Sequence, residues 1–288
     1  EWAQEGLFLS TTSDQACKLF DSALTQFLGW YDDDTFGGLE KTLKDIKVAD
    51  PEFVMGHVMS IGLDLIGTGR TLRLDNRFKL EMENIESLAK KQASILTPRE
   101  QSHVKAVQLW ADGFLDEATN VWEDILVKHP TDIFALKMAH DTYFYLGYQS
   151  QIRDSVARVF PHWKPTTPLY SYLYGMYAFG LEETNFYSKA EEISQKGLEL
   201  NPKDAWATHA LAHVFEMEGR TNEGIAFMSS TVKNWEGEHE AAVDIFDTQV
   251  GKRIHSGSLL DIVDATSLLY RLEFEEKVRG STPEFLLK

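Results

Sequence analysis

The sequence has few cysteines, few cations relative to anions and no long apolar run. Cys17 is the single cysteine in 288 residues, so no disulfide can form within the chain, and a cytoplasmic location is expected. Lys and Arg number 28 against 45 Asp and Glu, giving a net charge of -17 that disfavours a nucleic-acid partner. Nowhere do about 18 apolar residues follow one another, so no membrane partner is expected. Residues 1–20 also lack the basic stretch and apolar run of a secretory signal.

The remaining composition is that of an ordinary globular protein. Hydrophobic residues make up 43% of the chain and charged residues 25%, which excludes disordered and fibrous classes. No segment alternates apolar and polar residues as a half-buried strand does, so the sequence predicts an all-α fold. These properties indicate an architecture and name no reaction.

A spacing of 34 residues recurs in the middle of the chain. Gly147 follows Gly113 by 34 residues, and Gly219 follows Asn185 by the same number. This is the period of the tetratricopeptide repeat, in which each unit is a pair of antiparallel helices. We therefore predict an α-solenoid of degenerate tetratricopeptide-like helix pairs.

The residue types within the repeat fit that architecture. Ala118 and Ala190 allow close approach of the second helix to the first, and Pro130 and Pro202 end the second helices. One helix pair cannot bury its apolar face alone, so neighbouring pairs are expected to stack into a continuous core. The aromatic residues predicted for this core are Trp110, Trp122, Phe134, Tyr143, Phe144 and Phe179.

The repeats are expected to form one domain over residues 1–275. Its predicted parts are irregular repeats over 10–100, clearer repeats over 101–235 and a disrupted repeat over 236–275, followed by a tail over 276–288. In the irregular part, the sequence predicts a helix capped by residues 10–13 and further helices over 38–48, 51–66 and 77–94. It also predicts that a helix stops at Gly67-Thr68-Gly69 and that a capping box, Thr97-Pro98-Arg99-Glu100, begins the helix before Gly113.

The repeat count fails after Gly219. Gly237 resembles the next turn between helices but follows Gly219 by only 18 residues, a shortfall of about one helix and its turn. We interpret this as a missing first helix, which would leave Phe227, Met228 and Phe246 without a neighbour. The alternative is that Gly237 lies in an irregular turn of a natural solenoid, which repeat arrays tolerate.

Several strings resemble the tetratricopeptide repeat protein 38 family over roughly residues 9–273. They are Leu9-Ser10-Thr11-Thr12-Ser13, Phe53-Val54-Met55-Gly56-His57, Arg99-Glu100-Gln101-Ser102-His103, His140-Asp141-Thr142-Tyr143-Phe144-Tyr145-Leu146-Gly147, Arg153-Asp154-Ser155-Val156-Ala157-Arg158, and Asp204-Ala205-Trp206-Ala207-Thr208-His209. The resemblance implies an all-helical superhelix inside the cell with no established biochemical activity. It also implies that relatives extend further at the C-terminus and carry a histidine-containing helix between the equivalents of Trp235 and Gly237.

The sharpest polar pattern in the sequence is His209, His213 and Glu216. Spacings of four and three residues place these side chains on one helical face, where they could hold Zn²⁺ or Fe²⁺. A metallopeptidase string would need Glu directly after the first His, and this chain has Ala210 there. The alternatives are that the histidines line a helical groove through hydrogen bonds to neighbours, or that they are exposed incidentally.

Other polar residues are expected at the ends or inner faces of first helices. These candidates for groove or ligand binding are His57, Arg99 with Glu100 and His103, His140 with Asp141, and Arg153 with Asp154. Together they could bind a small anionic or amide-bearing ligand. The alternatives are an ordinary ion pair for Arg153 and simple packing for His140.

The function expected from these patterns is that of a binding protein. It would present a concave, partly acidic groove to a peptide or protein partner, without a cofactor. The alternative is a small-molecule or metal-assisted enzyme that works from His209, His213 and Glu216, with a divalent metal as cofactor.

Overall fold

A computed structural model describes residues 2–66 and 70–235, with side chains through Thr231. The contacts of the chain divide into two units, Glu1–Thr231 and Val232–Lys288, and the described side chains all belong to the first. The helix stop predicted at Gly67-Thr68-Gly69, the turn at Gly237 and the disrupted repeat lie outside the described residues.

The described residues form α-helices and short 3-10 helices, with no strand among them, which confirms the all-α class. The α-helices are α1 (Asp14–Gly29), α2 (Gly38–Ala49), α3 (Val54–Leu65), α4 (Asn76–Lys91), α5 (Pro98–Ala111), α6 (Leu115–Lys128), α7 (Ile133–Leu146), α8 (Gln149–Val159), α9 (Tyr172–Glu183), α10 (Tyr187–Leu200), α11 (Ala205–Met217) and α12 (Thr221–Trp235). Two 3-10 helices span Trp2–Glu5 and Phe160–His162. In this part of the chain, no helix combines the length and apolar character needed to cross a bilayer.

Five of these helices begin at a polar side chain that accepts a hydrogen bond from the first helical turn. The N-cap residues are Ser13, Asp75, Thr97, Asp132 and Asp204. Each satisfies a backbone N–H that otherwise lacks an acceptor at a helix start. At Thr97 both hydrogen bonds of the predicted capping box form.

Residues in the left-handed backbone region separate the helices of each pair from α5 onward. Gly113, Gly147 and Gly219 have φ values of 92°, 73° and 70°, and Asn185 has a φ of 64°. Glycine and asparagine tolerate this region better than other residues do, so the predicted turn positions are confirmed. These turns separate α5 from α6, α7 from α8, α9 from α10, and α11 from α12.

The helices pack largely in chain order. From α1 to α11 each helix contacts the next, and in addition α3 contacts α5 and α9 contacts α11. The contact of α8 with α9 is close because Gly180 has no side chain: a Cβ there would lie 2.5 Å from the Cα of Arg153. Ala118 and Ala190 are fully buried, as expected for small residues that allow two helices to approach closely.

Most of the predicted aromatic core is buried. Trp110, Trp122, Phe134, Tyr143 and Phe179 belong to one continuous hydrophobic cluster that extends from α1 to α11. The prediction for Phe144 is wrong, since 51% of this residue is exposed. Phe144 lies in the last turn of α7 beside the exposed Tyr145, beyond the part of the helix that its neighbours cover.

Helix α1 contacts the beginnings of helices far from it in the sequence. Phe20 packs against Phe134 at the start of α7, with ring centroids 6.3 Å apart. At the other end of α1, a Cβ on Gly29 would lie 2.9 Å from the hydroxyl of Tyr172, the first residue of α9. Helix α1 therefore partly covers the first turns of α7 and α9.

Candidate functional site

His209 and His213 lie together on α11, as their spacing predicts. Their ring centroids are 4.5 Å apart, and Nδ1 of His213 lies 3.7 Å from Oε2 of Glu216. Burial lowers the pKa of His209, and the neighbouring His213 adds to this effect. His209 is therefore held towards its neutral form beside a half-exposed second imidazole.

The three residues are close, but they do not form a preorganised metal site. Glu216 is 76% exposed on its side-chain atoms. In the described ranges, no group of three or more His, Cys, Asp or Glu side chains is placed to hold a metal ion. A metal-assisted role for His209, His213 and Glu216 stays a prediction.

Aromatic rings surround His209 and continue to the surface. The ring of His209 lies 5.7 Å from that of Phe179 and 5.8 Å from that of Trp206, measured between centroids. Phe179 in turn contacts Phe144 at 5.9 Å. The rings of Trp206, His209, Phe179 and Phe144 therefore form a continuous series of aromatic contacts, and aromatic or cationic groups pack favourably against such rings where they are accessible.

These rings and their exposed neighbours form one contiguous region, which we call the aromatic surface. Its members are Trp30, Phe144, Tyr145, Trp206 and His209, with Phe179 as the buried base. Trp30, at the end of α1, is 65% exposed although its ring stacks on Trp206. The surface thus combines residues from α1, α7, α9 and α11.

A buried cation lies directly beneath the aromatic surface. The ammonium group of Lys137 lies 4.5 Å from the ring centroid of Trp206 and 4.9 Å from that of Phe27. It also forms an ion pair with Asp141, one helical turn further along α7. Burial alone would raise the pKa of Asp141, but Lys137 and His140 outweigh it and lower the pKa.

His140 is buried beside this ion pair and does not face an open groove. Its Nε2 lies 3.2 Å from the backbone oxygen of Met176, and its ring contacts those of Phe179 and Trp206. The structure thus brings His140 and Asp141 close to His209, as parts of the layer that supports the aromatic surface.

Two further carboxyl groups near this region have raised pKa values. Asp204, the N-cap of α11, has its pKa raised to about 7 by burial, against the opposing effect of hydrogen bonds from backbone N–H groups. Burial also raises the pKa of Glu182 on α9, which is only 6% exposed. Among the described residues, Oε2 of Glu182 has no hydrogen-bond partner.

The Arg99 and His103 candidates belong to a separate buried network. Nη1 of Arg99 lies 2.8 Å from Oδ2 of Asp132, and Nε2 of His103 lies 3.0 Å from the same oxygen. Glu100 accepts hydrogen bonds from the backbone N–H and the hydroxyl of Ser10, at 2.7 and 2.6 Å. These residues connect the segment before α1 to the starts of α5 and α7.

His57 and Arg153 also lie apart from the aromatic surface. Nε2 of His57 is 2.9 Å from the backbone oxygen of Pro51, and burial lowers the pKa of its imidazole. The expectation that Arg153 and Asp154 lie on a first helix is wrong: they lie on α8, which follows the Gly147 turn. There the guanidinium group pairs with Asp154 at 2.7 Å and covers the ring of Phe186.

The polar candidates therefore do not all face one groove. His103 is buried in a network with Asp132, whereas His140 and His209 both lie against the ring of Phe179. No protein-family model matches the sequence.

Four residues of this region were not predicted from the sequence, and only one of them had a recognisable signal there. Asp204 follows Asn201-Pro202 and precedes an apolar helix, which is typical of an N-cap, so its position could have been found. Trp30, Lys137 and Glu182 carry no such pattern. Their places depend on contacts between helices that are distant in the sequence.

Proposed function

We propose that this chain is a tetratricopeptide-type binding protein, related to the tetratricopeptide repeat protein 38 family. It docks a peptide segment of a partner protein on the aromatic surface. The observation that carries this proposal is the pair of exposed aromatic side chains at the end of α7, which connect through Phe179 to the half-buried rings of Trp206 and His209 on α11 and to the exposed ring of Trp30.

The repeat assignment is supported by periodicity and by packing. Turns in the left-handed region recur between the helices of each pair, and helices contact their neighbours in chain order. Both features are expected of stacked tetratricopeptide units, in which each pair buries its apolar face against the next. A cytoplasmic location, suggested by the single cysteine, is part of the same proposal.

The aromatic surface has the composition of a docking site. Contiguous exposed apolar patches on globular proteins mark interaction sites, and aromatic residues are enriched where partners bind tightly. Phe144 and Tyr145 extend from a rigid helix whose other side is buried in the core. An incoming side chain would therefore meet preordered rings, which lowers the entropy cost of binding.

Helix α1 occupies part of the groove that the sequence predicted to be open to a partner. Helix α1 covers the starts of α7 and α9, and Trp30 stacks on Trp206 at the start of α11, so a partner can dock on the last turn of α7, on the exposed part of Trp30 and along α11 from His209 onward. The proposed site is thus smaller than a full concave groove. A short peptide segment fits it better than a long helix does.

The proposal is tested with a phage-displayed library of random 12-residue peptides, selected on the full chain. Binding of each selected peptide is then measured by fluorescence anisotropy for the wild type and for Phe144→Ala. Removing one interface aromatic costs about 1.5–3 kcal/mol, so we expect Kd to rise at least about tenfold.

The matched control is Phe8→Ala. Phe8 is 58% exposed, similar to Phe144, but it lies beside the start of α5, away from the aromatic surface. We expect Phe8→Ala to leave Kd unchanged. Equal effects of the two substitutions, or no peptide selected above a bare support, would contradict the proposal.

A further inference from the structure

The aromatic surface borders a group of carboxylates that lack cationic partners. Glu182 and Glu183 end α9, and Glu216 lies near the end of α11. In the described part of the chain, none of the three forms an ion pair with Lys or Arg; Glu216 approaches only His213, and Glu183 accepts a hydrogen bond from Gln149. Negative charge is therefore left unbalanced at this edge.

Glu182 differs from the carboxylates of a solvated acidic cluster because its side chain is buried. Oε2 of Glu182 is buried and has no hydrogen-bond partner among the described residues. A carboxylate that is desolvated and lacks a partner in this way is stabilised by a nearby cation. Burial raises the pKa of Glu182, His213 opposes this effect, and Glu183 and Glu216 add to it, so all four groups lie in one locality.

Elsewhere in the fold, aromatic rings and a carboxylate already hold one cation, the ammonium group of Lys137. Lys137 lies against the rings of Trp206 and Phe27 and pairs with Asp141. The aromatic surface and the neighbouring carboxylates of Glu182, Glu183 and Glu216 present the same two kinds of group, aromatic rings and carboxylates, to a partner. A cation above an aromatic face gains about 0.5–2 kcal/mol, and a nearby carboxylate adds to this attraction.

We infer that the docked peptide segment carries a Lys or Arg side chain, with its cation between the aromatic surface and the carboxylates of Glu182 and Glu216. This inference rests on the proposed function and adds the chemistry of the partner. The charge of the whole chain, -17, acts in the same direction because it accelerates the encounter with basic segments. A small anionic ligand, which the polar residues alone suggested, would instead meet repulsion here.

The composition of the selected peptides is the first readout. We expect Lys and Arg to be enriched at one position of the selected 12-mers relative to the unselected library. We also expect replacement of that residue by citrulline or norleucine to weaken binding about tenfold, since close interfacial charge pairs contribute strongly.

Charge reversal at Glu216 provides the second readout. The side chain of Glu216 is 76% exposed, so Glu216→Lys should fold normally and raise Kd for cationic peptides about tenfold. The control is Glu83→Lys on α4, an exposed position that gives the same change in net charge. Against the citrulline or norleucine peptide, Glu216→Lys should bind like the wild type, which shows coupling between the two charges.

The outcomes separate the inference from the proposed function. Peptides that depend on Phe144 but lack Lys or Arg would overturn the inference and leave the docking function standing. Equal effects of Glu216→Lys and Glu83→Lys would overturn it as well, because only net charge would then matter. If no peptide is selected at all, both the inference and the proposed function are wrong.

Discussion

The indole ring of Trp30 stacks on that of Trp206, with centroids 5.0 Å apart and planes inclined by 15°. This contact joins the end of α1 to the first turn of α11, and Phe27 meets Lys137 of α7 one turn earlier. The first α-helix of the described chain therefore contributes to the same surface as helices much later in the sequence. Consequently, α1 both limits the space for a partner and supplies one of the exposed rings.

The exposure of Phe144 predicts a clear difference from its contact partner Phe179. Phe179→Ala removes a buried ring and should lower the free energy of unfolding by about 3–5 kcal/mol. Phe144→Ala removes a half-exposed ring and should cost less than about 1.5 kcal/mol. Urea denaturation of both variants measures this difference, and equal losses would show that Phe144 is part of the core.

The buried Arg99–Asp132–His103 network predicts strong destabilisation when its anion is removed. Burial alone would raise the pKa of Asp132, but His103 and Arg99 outweigh burial and lower it, so the carboxylate is charged. Asp132→Ala leaves the Arg99 charge buried without its partner and removes the N-cap of α7. We expect a loss of about 3–5 kcal/mol in the free energy of unfolding.

The control for this experiment is Asp124→Ala on α6. Asp124 is exposed, so its removal should change the free energy of unfolding by less than about 0.5 kcal/mol. A small loss for Asp132→Ala, close to that of the control, would show that the buried network contributes little to stability.

The raised pKa of Asp204 predicts a pH dependence of stability. An aspartate in the unfolded chain titrates near pH 4, whereas burial raises the pKa of Asp204 in the folded chain to about 7. Between these values the folded state holds a proton that the unfolded state releases. The stability from protonated Asp204 is therefore complete below about pH 4 and is lost as the pH rises to about 7.

Asp204→Asn removes this titration and keeps a side chain that can cap α11. From pH 5 to pH 7 we expect the wild type to lose about 2 kcal/mol relative to Asp204→Asn, as measured by urea denaturation at each pH. His57 and His209 titrate in both proteins, so their contributions cancel in the difference.

The matched control is Asp75→Asn at the N-cap of α4. The pKa of Asp75 is lowered, chiefly by the hydrogen bond from the backbone of Phe78 and by Arg70, so its stability contribution is lost only below about pH 4. The free-energy difference for Asp75→Asn should thus be constant from pH 5 to pH 7. Parallel behaviour of both variants over this range would refute the assignment of the titration to Asp204.

Local signals predicted most of the helices correctly. The capping box at Thr97 and the turn glycines Gly113 and Gly147 depend on residues within one or two turns, so the sequence contains the whole cause. The candidate site was predicted less well. Spacing on one helix places His209 beside His213. It does not reveal that His103 forms a hydrogen bond with Asp132, the N-cap of a different helix.

The sequence by itself determined that the described part of the chain is helical and which small residues lie at the turns from α5 onward, because capping, glycine turns and apolar periodicity act over short distances. It placed helix ends less exactly: residues 51–66 and 77–94 were predicted where the helices span Val54–Leu65 and Asn76–Lys91. Tertiary packing alone decided that α1 lies against the starts of α7, α9 and α11, that Lys137 is enclosed by two rings, and that Phe144 faces outwards. These features arise from burial of apolar area between distant segments. The free energy of such burial depends on the shapes that meet, which the spacing of residues along the chain does not specify.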